Sequence, residues 1–140
     1  ENFNGYGFIS SKDSSGDVTI QGGKVIAGKN AAISMEGQGK LDVSGATLER
    51  DLYGVFITYR ATTPTVTIGG GTYIRNYDSF GSAISFLSDN TTLILKSCTI
   101  YAEGYAVDIS EGSGTFKIQS DSPVILQAKY LVANQTPDLP

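Results

Sequence analysis

The sequence contains no histidine, no tryptophan and a single cysteine, Cys98. Without His, the side chain that most often serves as a general base near neutral pH and as a metal ligand is missing. One Cys excludes both an intrachain disulfide and a thiolate metal cluster. Charge is also scarce: Asp, Glu, Lys and Arg make up 17% of the 140 residues, with 10 basic against 14 acidic groups and a net charge of −4. No basic block is available to neutralise a phosphate backbone, which argues against nucleic acid as a partner. No apolar run approaches the roughly 18 residues of a membrane-spanning helix. The opening Glu1-Asn2-Phe3-Asn4 has neither an initiator Met nor a secretory signal, so the expectation is a processed chain or a piece of one.

What is abundant points to strands and turns. Val, Ile and Thr together supply 34 residues and Gly 17, and no convincing amphipathic helix can be drawn. With 40% hydrophobic residues, the chain can bury the core of one domain. The class read from this is all-β.

A repeat runs through the chain. Asp17-Val18-Thr19-Ile20, Lys40-Leu41-Asp42-Val43, Thr65-Val66-Thr67-Ile68, Thr92-Leu93-Ile94-Leu95 and Thr115-Phe116-Lys117-Ile118 each alternate polar and apolar residues, and their last residues lie 23, 25, 27 and 23 apart. A second strand follows in each unit, anchored inward on Ile26, Leu48, Ile74, Ile100 and Ile125. A third reads Gly7-Phe8-Ile9, Ala32-Ile33-Ser34-Met35, Gly54-Val55-Phe56-Ile57, Ala83-Ile84-Ser85-Phe86, Ala106-Val107-Asp108-Ile109 and Leu131-Val132-Ala133. Phe8 to Val132 is 124 residues over five intervals, about 25 per unit.

A unit of three short strands cannot bury its apolar side alone, whereas stacked units hydrogen-bond coil to coil and align their inward residues in ladders. The spacing therefore predicts a single-stranded parallel β-helix of about five coils with three short strands per coil. It would occupy residues 17–134, preceded by a partial coil or cap over 1–16 and followed by a tail over 135–140. A sandwich or barrel would need hairpin turns, and the only Asn-Gly, Asn4-Gly5, precedes the first unit.

In coil length, three-strand rhythm and stacked Ile, Val and Phe positions, residues 6–134 resemble the right-handed parallel β-helix superfamily. This is the pectin-lyase-like fold of pectate lyases, polygalacturonases, phage tailspikes and bacterial surface proteins. Right-handedness is what the resemblance implies; the period alone does not give it. Both ends fall in mid-coil, which suggests a segment of a longer solenoid or a module flanked by other domains; a short cap built from Phe3, Tyr6 and Phe8 is the alternative.

Alternation assigns the outward residues. On the first strands they are Thr-rich, but Asp42 and Lys117 interrupt the regular Thr rows that an ice-binding face would need. On the second strands they are Thr47 and Glu49, Tyr73 and Arg75, Thr99 and Tyr101, on three successive coils. Tyr101 is within reach of Arg75 for a cation–π contact and Glu49 for an ion pair. An aromatic ring beside charge and hydroxyls suits a sugar, with an apolar face to stack and hydroxyls to bond. An ordinary cross-strand ladder is the competing reading.

Asp51, Asp78 and Glu103 fall on neighbouring turns and are candidate calcium ligands, since calcium takes several carboxylate and carbonyl oxygens. Neither an EF-hand nor a calcium-binding nonapeptide repeat is present, and solvated surface acids are the alternative. Before the third strand stands the column Tyr6, Ala31, Tyr53, Ser82, Tyr105 and Tyr130, either packed into a corner or forming a binding stripe. Cys98 aligns with Ala46 and Thr72 and is read as buried and inert.

The resemblance invites an enzymatic reading, but the residues do not follow it. Polygalacturonase-like sites combine Asn-Thr-Asp, Asp-Asp, Gly-His-Gly and Arg-Ile-Lys, whereas this chain has no His and no adjacent Asp pair. Asp51, Asp78 and Arg75 are only a loose echo of a pectate lyase. The leading expectation is a non-catalytic module of a secreted or cell-surface bacterial protein that binds carbohydrate or mediates adhesion. A purely structural solenoid segment is the first alternative, and a polysaccharide lyase or hydrolase the second.

Overall fold

The computed structural model describes residues 7–10, 15–26, 29–58, 61, 64–109, 114–119 and 123–133. The proposed tail 135–140 and most of the segment 1–16, with Phe3 and Tyr6, lie outside them. Among the described residues, strands follow in the order β1 (Phe8–Ser10), β2 (Val18–Gln21), β3 (Lys24–Ile26), β4 (Ala31–Met35), β5 (Leu41–Ser44), β6 (Thr47–Arg50), β7 (Tyr53–Ile57), β8 (Thr65–Gly69), β9 (Thr72–Asn76), β10 (Ser82–Phe86), β11 (Thr91–Leu95), β12 (Cys98–Asp108), β13 (Gly114–Ile118) and β14 (Val124–Ala133).

Every pairing is parallel, and every partner lies one coil away, so the chain is an all-β parallel solenoid. A five-stranded sheet stacks β2, β5, β8, β11 and β13, while the other strands form a nine-stranded sheet. The five rungs of the smaller sheet are joined by about four turns, where the repeat suggests about five coils. In the first coils the larger sheet contains two strands per turn, whereas β12 and β14 each run through both positions as one long strand, with a register irregularity between Ala102 and Tyr105.

Side-chain period fixes the register. Ile20, Val43, Ile68, Leu95 and Ile118 pair in one row, and Phe8, Ile33, Val55, Ile84, Val107 and Val132 in another, as the spacing predicts. Most of these side chains meet in one continuous core with Leu48, Ile74, Leu93 and Ile100, all fully buried. Each such burial contributes about 1.5–3 kcal/mol, which is how a chain with so little charge holds its shape.

The second strand corrects two expectations. Val25, not Ile26, stands opposite Leu48, and Leu126, not Ile125, stands opposite Ile100. A one-residue slip turns a side chain to the other face of a sheet. For Val25, the step from Ile20 is the same five residues as from Val43 to Leu48 and from Leu95 to Ile100, so turn length there outranks the preference for Ile. Ile125 is consequently 56% exposed.

The turn between the first and second strands has a recurring geometry. At its corner, Gly45 and Gly70 have φ of 62° and 59°, and Ser97 in the following coil adopts 49° without being glycine. Gly45 N–H donates to the Gly69 carbonyl at 3.3 Å, so the left-handed residues stack from coil to coil. Buried Thr72 secures the same corner, its hydroxyl donating to the Gly69 carbonyl at 2.6 Å.

Candidate functional site

The outward face of the larger sheet collects most of the expected site residues. The register sets Thr47, Tyr73, Thr99 and Ile125 in one row, and Glu49, Arg75, Tyr101 and Gln127 in the next. All of them project outward because their immediate neighbours, such as Leu48, Ile74 and Ile100, are locked in the core. Parallel rungs repeat along it at about 4.8 Å.

Arg75 is its centre. Its guanidinium carbon lies 4.7 Å from the Tyr101 ring centroid and 4.7 Å from that of Tyr77, so the cation is held between two aromatic rings. Nε is buried without a hydrogen-bond partner among the described residues. Desolvation lowers the Arg75 pKa, but the hydrogen bond to Tyr73 and the tyrosine oxygens of Tyr77, Tyr73 and Tyr101 outweigh it, and the net direction is upward. Glu49 pairs with Lys24, Nζ to Oε2 at 3.2 Å. Beside Tyr101, a shallow depression of about 300 Å³ is lined by Tyr101, Glu103, Gln127 and Lys129.

Tyr77, Lys24 and Ile125 were not in the expected set. The signal for Tyr77 was present, because the outward alternation of Tyr73 and Arg75 continues to it. Ile125 could be found only from the register, since the sequence favours it as an inward anchor.

The acids do not come together. Asn76 stands opposite Arg50 and Ala102, so the position between Asp51 and Glu103 is that of Tyr77, not Asp78. Asp78 instead uses Oδ1 to accept the Phe80 amide at 2.7 Å. Among the described residues no three Asp, Glu or Cys side chains form a group that could hold a metal ion, and Asp51, Asp78 and Glu103 are not such a group.

The tyrosine column keeps its register, Ala31, Tyr53, Ser82, Tyr105 and Tyr130 pairing in sequence, with Tyr6 outside the described residues. Tyr53 stacks on Phe56 at 4.7 Å, and Tyr105 on Tyr130 at 4.9 Å. These rings are half-buried or exposed. Cys98 is buried opposite Thr72, and desolvation pushes its thiol up to about 11, so it is a poor nucleophile at neutral pH.

The chain matches no family model, no curated protein and no solved structure. Function therefore has to be argued from the face itself.

Proposed function

We propose that the face around Arg75 binds carbohydrate, and that the chain is a non-catalytic module of a secreted or cell-surface bacterial protein serving polysaccharide retention or adhesion. The observation that carries this reading is the Arg75 guanidinium held between Tyr77 and Tyr101. An isolated cation on a flexible stem loses side-chain entropy on binding, whereas one held between rings is already placed. The rings supply apolar faces for the C–H side of a pyranose, and Thr47, Thr99, Gln127 and the guanidinium supply partners for its hydroxyls. Such an open face suits an internal stretch of a polymer better than a small molecule that needs enclosure.

We further propose a coil of three strands, which the triplets β2–β3–β4, β5–β6–β7 and β8–β9–β10 support, and a right-handed, pectin-lyase-like solenoid, which rests on the resemblance in coil length and stacked apolar positions. A purely structural solenoid segment is the second reading, favoured by the Lys24–Glu49 pair and the Tyr105–Tyr130 stack, which join neighbouring rungs without any ligand.

The test is retention of the purified chain on acidic and neutral polysaccharides, with and without calcium, scored also for released sugar. Retention without release supports the binding module. Release would replace it with the lyase or hydrolase reading, and calcium dependence would bring Asp51, Asp78 and Glu103 back as ligands. No retention on any polysaccharide would leave the structural segment.

A further inference from the structure

The turn between β9 and β10 carries the most exposed large apolar side chain among the described residues, Phe80, at 90%. An exposed phenyl ring on a slack loop would fold back onto neighbouring apolar surface. This loop is not slack. Asp78 N–H donates to the Asp51 carbonyl at 2.9 Å, Phe80 N–H to Asp78 Oδ1 at 2.7 Å, Gly81 N–H to the Asp78 carbonyl at 3.1 Å and Ser82 N–H to the Leu52 carbonyl at 2.8 Å. From beneath, fully buried Asn76 donates through Nδ2 to the Leu52 carbonyl at 2.8 Å and also to that of Asp51. The backbones are so close that a Cβ on Gly104 would stand 2.2 Å from the Gly81 carbonyl oxygen, and one on Gly81 2.3 Å from that of Leu52. The coil before and the coil after both clamp the turn.

At its base the same turn is tied to the proposed site, because Tyr77 is one of the two rings that hold Arg75. Phe80 follows Tyr77 by three residues, on the turn that leads away from the face. Phe80 has no polar group and offers only stacking. A preorganised aromatic ring without a hydrogen-bonding function suits a sugar whose hydroxyls are equatorial, leaving a C–H face to lie on it.

We propose that Phe80 is an outlying stacking position of the carbohydrate face, and that the ligand is an extended β-linked pyranose polymer with equatorial hydroxyls, engaged along its interior. This rests on the carbohydrate-binding reading above. Short chains reach only the Tyr101–Arg75–Tyr77 cluster; longer chains continue onto Phe80. Asp78 is a positioning residue that holds the backbone from which the ring projects.

The experiment is calorimetric titration of the full chain with short and long cello- and xylo-oligosaccharides. The wild type is expected to bind long chains more tightly than short ones. Phe80→Ala, which removes only an exposed ring, is expected to lose about tenfold in affinity for long chains and nothing for short ones. Phe80→Trp restores the preference, Asp78→Ala loses part of it, and Tyr101→Ala weakens binding at every length. Equal binding of long chains by the wild type and Phe80→Ala, with Tyr101→Ala still impaired, would overturn the role of Phe80 and leave the carbohydrate site standing. A wild type that binds short and long chains equally would overturn it in the same way. Absence of binding to either series would overturn this polymer assignment, and retention on the wider polysaccharide panel then decides the fate of the site itself.

Discussion

The two outward faces of this solenoid are built on the same inward ladders and differ in what they show to water. On the larger sheet the exposed and half-buried positions include Tyr53, Phe56, Tyr73, Arg75, Tyr77 and Tyr101. The smaller sheet presents Thr19, Asp42, Thr67, Ile94 and Lys117 along one row and no aromatic residue along the next, Gln21, Ser44, Gly69, Lys96 and Gln119. A hollow of about 340 Å³ over Gly69 and Gly70 is rimmed by hydroxyls, an amide and the charges of Asp42 and Lys96. Folding requires only that the inward rows be apolar and in register. It does not require rings on one face and threonines on the other, so the asymmetry is not a consequence of the inward rows.

Breaking the shared core should damage both faces alike, and gives the largest effect. Ile74→Ala and Leu93→Ala, one on each sheet, are each expected to cost about 2–5 kcal/mol, read as a drop in urea midpoint with an unchanged slope. A much smaller cost for either would mean that the sheets do not share one core. Changing only the surface should separate the faces. Tyr73→Ala with Tyr101→Ala is expected to weaken polysaccharide retention by at least about tenfold, while Thr19→Ala with Thr67→Ala leaves retention unchanged and stability within about 0.5 kcal/mol. Loss of retention by the threonine variant would move the site to the other sheet.

Cys98, beneath the aromatic face, gives a pH signature. Its folded pKa of about 11 lies above the ordinary 9.0. The folded state therefore keeps a proton that the unfolded state loses between those values, so the thiol's contribution is intact below about pH 9 and falls as the pH rises towards 11. The stability difference between wild type and Cys98→Ala should shrink over that window, and stay flat if the thiol is not desolvated. Ser97→Gly relieves a positive φ at the corner that joins the two sheets, and is expected to stabilise by up to about 1 kcal/mol in thermal unfolding. Lys24→Ala should cost less still, since an exposed ion pair contributes about 0–1 kcal/mol.

Much of the architecture was legible beforehand. Period-two alternation and the recurrence of Ile20, Val43, Ile68 and Leu95 were enough to foresee a parallel solenoid and the register of the smaller sheet, because a one-residue slip there would turn a whole apolar row to water. The cluster of Tyr73, Arg75 and Tyr101 was legible for the same reason. Across turns that logic fails. Asp51 lines up with Tyr77 and not Asp78, and Ile125 faces outward beside Thr99, because the phase of each new strand is set by backbone hydrogen bonds in the turn. A regular corner preserves that phase, and the six-residue step from Ile68 to Ile74 lengthens it by one.

By itself, then, the sequence determined what faces inward and what faces outward along each strand, since that follows from alternation and the free energy of burying apolar surface. Only the tertiary structure decided the phase across the turns, and with it which residues meet there. The outward turn of Ile125 beside Thr99 and the clamping of the Phe80 turn depend on contacts between coils about 25 residues apart in the chain, and on backbones approaching closely at Gly81 and Gly104. Local periodicity has no means of encoding such contacts.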